Sequence, residues 1–292
     1  MHIPVLIEEI LKGFDPQANE NYIDCTVGNG GHTISILENT APNGKVLGID
    51  WDSASLATAK EKLKEKGLLS RVTLVQGNYA DLEEIVKENK FSNVSGILLD
   101  LGYSSNQIDE TDRGFSFKGK GRLDMRYNSS NPQTAEKILN FESKKDLEQI
   151  FKEFGEEQFA KQIAEQIIET RKDKNITTTD QLVEIVMSAT PTWYHKRRIH
   201  PATKVFQALR IAVNRELDNL TNVLPQTVSV VKSGGEIQVI SFHSLEDRVV
   251  KNFAKDTEEI EIVTKKPITP AKKEVEQNPR SASSKLRTMK KK

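Results

Sequence analysis

Cysteine is nearly missing. Cys25 is the sole one in 292 residues, which excludes an internal disulfide and any zinc site built from several thiolates. Such usage suits a reducing compartment, and a cytoplasmic location is expected. Long apolar runs are missing too: none approaches the roughly 20 residues that span a bilayer. The opening stretch MHIPVLIEEILKGF has no basic lead and carries Glu8 and Glu9, so it does not read as a secretory signal. Aromatics make up 6% of the chain, with two tryptophans, and no internal repeat is visible. Net charge is absent as well, with 42 basic against 42 acidic residues. The balance is uneven along the chain. Residues 1–105 hold 9 basic and 15 acidic residues, whereas 265–292 hold 10 basic and 2 acidic. A basic tail is either a contact for a phosphate backbone or a solvated, frayed end.

What remains is globular: 36% hydrophobic and 29% charged. The first hundred residues alternate strand and helix patterns. Strands are expected at Tyr22–Val27, Lys45–Asp50, Val72–Gly77 and Gly96–Gly102. Between them lie the helical runs TISILENT, SASLATAKEKLKEKG (with a serine cap at Ser53) and DLEEIVKEN. Strands separated by helices imply right-handed βαβ units and a doubly wound parallel sheet, an α/β fold. From Asn106 to about Pro201 no strand is convincing, and amphipathic helices follow one another. This predicts an all-helical insertion at 106–208 dividing an α/β domain of 1–105 and 209–292. One helix, Ala202–Leu224, is expected to return the chain to the sheet. Then come a strand at Gly234–Phe242, a helix at SLEDRVVKNFAKD, and a closing antiparallel pair from IEIVTK and KLRTMK.

The stretch NYIDCTVGNGGHT places a glycine cluster between a strand and a helix start. Such a loop points backbone N–H groups outward and lets a ligand approach the main chain. Asp50 ends the next strand, 20 residues after Gly30, the usual distance for a ribose clamp. Gly28 and Gly30 fit the dinucleotide fingerprint, but Thr33 stands at its third glycine position. No Gly-Lys-Ser/Thr follows, so a P-loop is excluded. Three readings stay open: an adenosine ligand without phosphates (S-adenosylmethionine), a dinucleotide, and a tight structural turn. Tyr79 after the third strand and Asp100 at the end of the fourth fall on the edge where open α/β sheets bind ligands. Asp100-Leu101-Gly102-Tyr103 has the acid and aromatic, but not the prolines, of the loop that amino-methyltransferases use. There an acceptor stabilises an amine gaining positive charge.

The segments DCTVGNGGHT, LLDLGYSSNQID, DRGFSF, LDMRY, HPATKVFQALRIAVNREL, ISFHSLEDRVVK and NPRSASSKLR occur in this order. Together they resemble the bacterial 16S ribosomal RNA cytosine-N4 methyltransferase family, over nearly the whole chain. The resemblance implies a class I (Rossmann-like) methyltransferase sheet with an inserted helical domain. It also implies S-adenosylmethionine as cofactor and the N4 amine of a decoding-centre cytidine as target. The partner would be 16S rRNA within the small subunit or a late assembly intermediate, with the enzyme a monomer or homodimer. Carried over, the cofactor contacts fall on Gly30, Gly31, His32, Asp50, Tyr79, Asp100 and Gln107. Asp100 is the expected catalytic group, and His32 a binding group beneath the cofactor. The family often has phenylalanine where Tyr79 stands and a small aliphatic residue where Tyr103 stands.

WYHKRRIHPATK interleaves Lys196, Arg197, Arg198 and Lys204 with aromatics, which suits RNA phosphates and bases; the alternative is a solvated loop. Arg113 in DRGFSFKGKGRLDMR and Tyr103 are further candidates for RNA contact, at the lip of the substrate pocket. His195 and His200 have no acidic or cysteine partner in sequence, so no metal is expected. SFHSLEDR is a strand–helix turn rather than a hydrolase triad, with Ser244 expected to cap and Asp247 to complete the capping box. Two rival functions remain. Thr33 counts against a nicotinamide oxidoreductase, and intact Asp50 and Asp100 count against a non-catalytic RNA-binding or assembly factor.

Overall fold

Each central strand of the sheet sends alternate side chains into two different cores. This is how one short segment can anchor helices on both faces. The computed structural model describes residues 4–102, 113–117 and 119–292. It divides into two compact units, Met1–Ser104 with Leu217–Lys292, and Ser105–Glu216. The first unit holds strands β1 (Asn21–Asp24), β2 (Val46–Asp50), β3 (Val72–Gln76), β4 (Val94–Asp100), β5 (Val231–Ser241), β6 (Ile260–Ile262) and β7 (Lys285–Lys291). Their order across the sheet is β3-β2-β1-β4-β5-β7-β6. β3 through β5 run parallel, and β7 is antiparallel to both β5 and β6.

On one face Ile23, Leu47, Ile97, Leu99 and Val239 pack with helices Leu82–Glu88, Glu216–Val230 and Ser244–Asp256, through Leu82, Leu220, Leu224 and Val250. On the other face Tyr22, Val46, Leu98 and Ile240 meet helices Ile7–Phe14, Gly31–Asn39 and Ser53–Glu65, through Ile10, Phe14, Ile36 and Leu63. This is the doubly wound sheet expected from the alternation of elements, in the class I methyltransferase form that the resemblance implies. The second unit, among the described residues, is built on helices Ala135–Phe141, Lys144–Gly155, Ala160–Asp173, Thr179–Ala189 and Ala202–Asn214, with a short helix at Thr192–His195. They enclose their own core around Leu139, Phe151, Ile163, Leu182 and Leu209. Its β structure, among the described residues, is one isolated bridge between Arg122 and Thr178. No helix among the described residues is long and apolar enough to cross a membrane.

Four expectations change. The single helix Ala202–Leu224 is two helices, because Arg215 adopts left-handed backbone (φ 51°) and ends the first. The compact helical unit therefore extends to Glu216 rather than stopping at 208. The cap of Ser53–Glu65 is Asp52, whose carboxylate accepts from the Ala54 N–H at 3.0 Å. Similarly, the capping box of Ser244–Asp256 begins one residue earlier: His243 accepts from the Glu246 N–H, and Glu246 accepts from the His243 N–H. Asp247 is engaged by Arg287 at 2.7 Å instead. The basic tail is not frayed, since β7 lies between β5 and β6 and is largely buried. The N-terminal helix Ile7–Phe14, unnoticed in the sequence, has a strongly one-sided apolar pattern ending in Phe14.

Phe14 and Tyr22 lie 5.1 Å apart, centroid to centroid, against β4. A Cβ added at Gly96 would come within 2.7 Å of Phe14 and 2.8 Å of Tyr22. Gly96→Ala is expected to overpack this site and cost ~1–3 kcal/mol. Urea unfolding should show a lower midpoint at an unchanged slope. A wild-type midpoint would mean that the ring pair yields freely.

Candidate active site

The chain crosses over in opposite directions on either side of β1, toward β2 and toward β4. That reversal opens a crevice at the carboxyl ends of the parallel strands. The glycine loop leaves β1 there. Gly30, at φ 81°, is the residue before helix Gly31–Asn39; a Cβ on it would lie 3.2 Å from Ala59. The left-handed backbone favours glycine, and the close neighbour adds to the cost of a side chain there.

A buried carboxylate organises the loop. Asp24, the last residue of β1, is fully buried. It accepts from the Thr33 hydroxyl at 2.6 Å and from the Thr26 N–H at 3.1 Å. Burial pushes its carboxyl above the usual range, and the Thr33 hydrogen bond opposes this. The Thr26 hydroxyl in turn accepts the Asp100 N–H at 2.7 Å. One run of contacts thus joins the helix start, the end of β1, the loop and the end of β4. It also explains the missing third glycine, because Thr33 supplies a hydroxyl that the buried Asp24 needs.

His32 and Asp100 meet across this frame, with Nε2 and Oδ2 3.4 Å apart and His32 almost fully buried. Among the described residues, neither ring nitrogen of His32 nor Oδ1 of Asp100 has a hydrogen-bond partner, though all three atoms are buried. Buried polar atoms of this kind call for a ligand to complete them. Asp50, at the end of β2, is differently placed. Its two carboxylate oxygens accept from the Gly28 N–H at 2.7 Å and the Asp52 N–H at 2.8 Å. Its own carbonyl accepts from Gly77 at 3.0 Å. Burial raises its pKa to about 6 despite these donors. Each oxygen keeps a lone pair for a further donor. Tyr79 opens a short 3-10 turn after β3 and packs, half-buried, on the adjoining core.

These atoms fit an adenosine ligand carrying an amino acid. Asp50 would hold the ribose, Tyr79 would lie along the base, and His32 and Asp100 would meet the amino-acid end. Gly30, Gly31, His32, Asp50 and Asp100 fall at the carboxyl ends of the parallel strands, and Tyr79 follows three residues after Gln76, the register partner of Asp50 on β3. Tyr103 and Gln107 lie outside the described residues. In the helical unit, Arg113 donates to the carbonyls of Tyr127 and Arg126 and lies 5.6 Å over Phe115, so its guanidinium is tied into the unit's own fold. Lys196, Arg197 and Arg198 are exposed. His195 faces the Thr190 hydroxyl at 2.9 Å, and His200 stacks on Phe117. Sequence reasoning missed Asp24 and Thr26. The signal for both was Thr33, an unneeded hydroxyl where a glycine was expected.

Comparison with known proteins extends the geometry. The model of the MraW methylase family matches residues 1–292. A protein of Trichlorobacter lovleyi named ribosomal RNA small subunit methyltransferase H is 42% identical over 308 aligned residues, covering 99% of this chain and 98% of its own. One of the same name from Persephonella marina is 45% identical over 293 residues, covering 99% and 98%. Among solved structures, a candidate rRNA methylase from Clostridium thermocellum superposes over the full length of both chains with a TM-score of 0.52 and 13% identity, a likeness of fold.

Thr33→Val should leave Asp24 buried with one donor fewer. A loss of ~1–3 kcal/mol is expected in chemical denaturation, with Thr33→Ser recovering most of it. Equal stability of the valine variant would remove Asp24–Thr33 from the frame.

Proposed function

The chain belongs to the MraW methylase family, and from that premise we propose that it methylates the N4 amine of a cytidine in the decoding centre of 16S rRNA, using S-adenosylmethionine. The observation that carries the reading is the set of buried polar atoms on His32 and Asp100 that have no hydrogen-bond partner among the described residues, together with Asp50 at the carboxyl end of β2.

The cofactor, when bound, supplies an electrophilic methyl group on a sulfonium. The protein supplies position and charge. Asp50 takes the ribose hydroxyls while the Gly28–Gly31 backbone allows close approach. The His32 ring, fixed beneath the crevice, holds the amino-acid end. A cytosine amine is a poor nucleophile because its lone pair is delocalised into the ring. Asp100 accepts a hydrogen bond from that amine and so favours the geometry in which positive charge develops. The Thr26 hydroxyl holds the Asp100 backbone in register. After transfer the amine releases its extra proton to water, so no dedicated base is required. The helical unit, with Lys196, Arg197 and Arg198, serves RNA recognition. The working environment is the cytoplasm, and the substrate is the small subunit or a late precursor of it.

Asp50 titrates near the working range. Ribose hydroxyls donate to its ionised form, so a proton competes with the cofactor. The dissociation constant for S-adenosylmethionine should rise about tenfold as pH falls from ~7.5 to ~5, through the folded pKa of about 6. In the ligand-free protein the sign is opposite. The raised pKa means that ionised Asp50 costs stability above pH about 6, and the cost is relieved as pH falls toward the ordinary 3.8. Calorimetric titration of wild type and Asp50→Asn checks this; a pH profile unaltered by the substitution would contradict it. Asp50→Ala should weaken cofactor binding by ~1.5–3 kcal/mol.

Asp100→Asn keeps the shape but replaces one acceptor oxygen with a donor. At saturating S-adenosylmethionine the single-turnover transfer rate should fall by ~100-fold or more, with RNA affinity much less changed, because the ground-state amine is neutral. A near-wild-type rate would leave Asp100 a binding role alone.

A further inference from the structure

The segment Thr190–Lys204 contains no acidic residue and five basic or histidine side chains between positions 195 and 200. Within it the aromatic groups are held rigidly. The Tyr194 hydroxyl donates to buried Glu157 at 2.7 Å, and the other Glu157 oxygen accepts the Phe159 N–H at 2.9 Å. Phe159 meets Trp193 and Tyr194 edge-on, at 5.9 and 5.0 Å. The Arg197 guanidinium lies 5.3 Å from the Trp193 ring and 4.9 Å from the Tyr194 ring. Yet Trp193 remains 54% exposed, and Ile199 in the same segment 61%. A large apolar group packed on Phe159 and Arg197 and left in solvent has met its ordering cost before any partner arrives.

We propose that Trp193 is a platform on which an unpaired base of the substrate RNA stacks, that Arg197 is the brace holding the indole, and that Lys196 and Arg198 contact the flanking phosphates. The assignment rests on the RNA-methyltransferase reading and divides the three adjacent cations into two kinds. Lys196 and Arg198 have no ion-pair partner among the described residues, as phosphate contacts require. Arg197 is spread over two rings, where a guanidinium gains from cation–π attraction. Charge complementarity favours nucleic acid over a protein surface. The exposed aromatic favours a single strand, since bases inside a duplex are already stacked.

The test uses the full-length protein and two probes of equal length and charge, a short oligouridylate and an abasic oligophosphodiester. Wild type should prefer the oligouridylate by about tenfold, the scale of base–aromatic stacking. Trp193→Ala should abolish the preference while leaving the salt dependence unchanged. Trp193→Leu, which keeps apolar packing against Phe159, should do the same. Arg198→Ala should lower the salt slope by about one charge and keep the preference. Arg197→Lys should keep the slope and reduce the preference. No preference in wild type, or a preference that survives both Trp193 variants, overturns the platform. So does an Arg197→Lys variant that behaves like Arg198→Ala. Methylation of small ribosomal subunits separates this failure from failure of the activity. Trp193→Ala should raise KM for subunits several-fold at unchanged kcat. If wild type transfers no methyl group to subunits yet keeps a Trp193-dependent base preference, the activity reading fails and the platform stands.

Discussion

The Asp24 carboxylate is the point on which the site depends. An acid buried at the end of the central strand is costly unless donors reach it. Thr33 and the Thr26 amide reach it, from a helix start and from a loop. The need to satisfy one carboxylate thus fixes where the helix begins and how the loop turns. The Thr26 hydroxyl then sets the height of the Asp100 backbone on the neighbouring strand. The cofactor loop and the proposed acceptor for the target amine share a single frame, and neither can shift without disturbing it.

Neighbouring carboxylates take different roles from this frame. Asp50 receives a backbone N–H on each oxygen, which fixes its orientation and leaves room for the hydroxyl donors of the proposed ribose contact. Asp100 faces His32 but has an oxygen without a hydrogen-bond partner among the described residues. A group already satisfied by its own backbone is suited to binding. One whose oxygen awaits a donor is suited to meeting an amine whose charge changes during reaction. The same logic applies in the helical unit. Arg113 and Arg197 are committed to carbonyls and rings, whereas Lys196 and Arg198 remain available to an anion.

Much of this was legible in the sequence. The alternation of β-rich runs with helical ones predicts the parallel sheet, because period and spacing are local properties. The placement of Asp50, Asp100 and the glycine loop at strand ends was legible because it follows from the local strand pattern. Asp24 was not legible. It sits in an ordinary strand run, and its partners are distant in function though near in sequence. The break at Arg215 was hidden as well, since a left-handed arginine leaves no mark in an otherwise apolar helical period. The cap at His243 is masked by Ser244, a commoner capping residue, whereas Glu246, three residues after His243, marks the true box. Arg197 as a brace could not be read from a run of three cations, because only packing distinguishes them.

The central claim is that this chain places a methyl group on a cytidine amine of 16S rRNA. Mass analysis of nucleosides and mapped fragments of 16S rRNA from a strain lacking the gene tests it most directly. The account predicts that one decoding-centre cytidine lacks an N4 methyl group, which returns with the wild-type gene and not with Asp100→Asn. An unchanged methylation pattern in the deletion strain would contradict it.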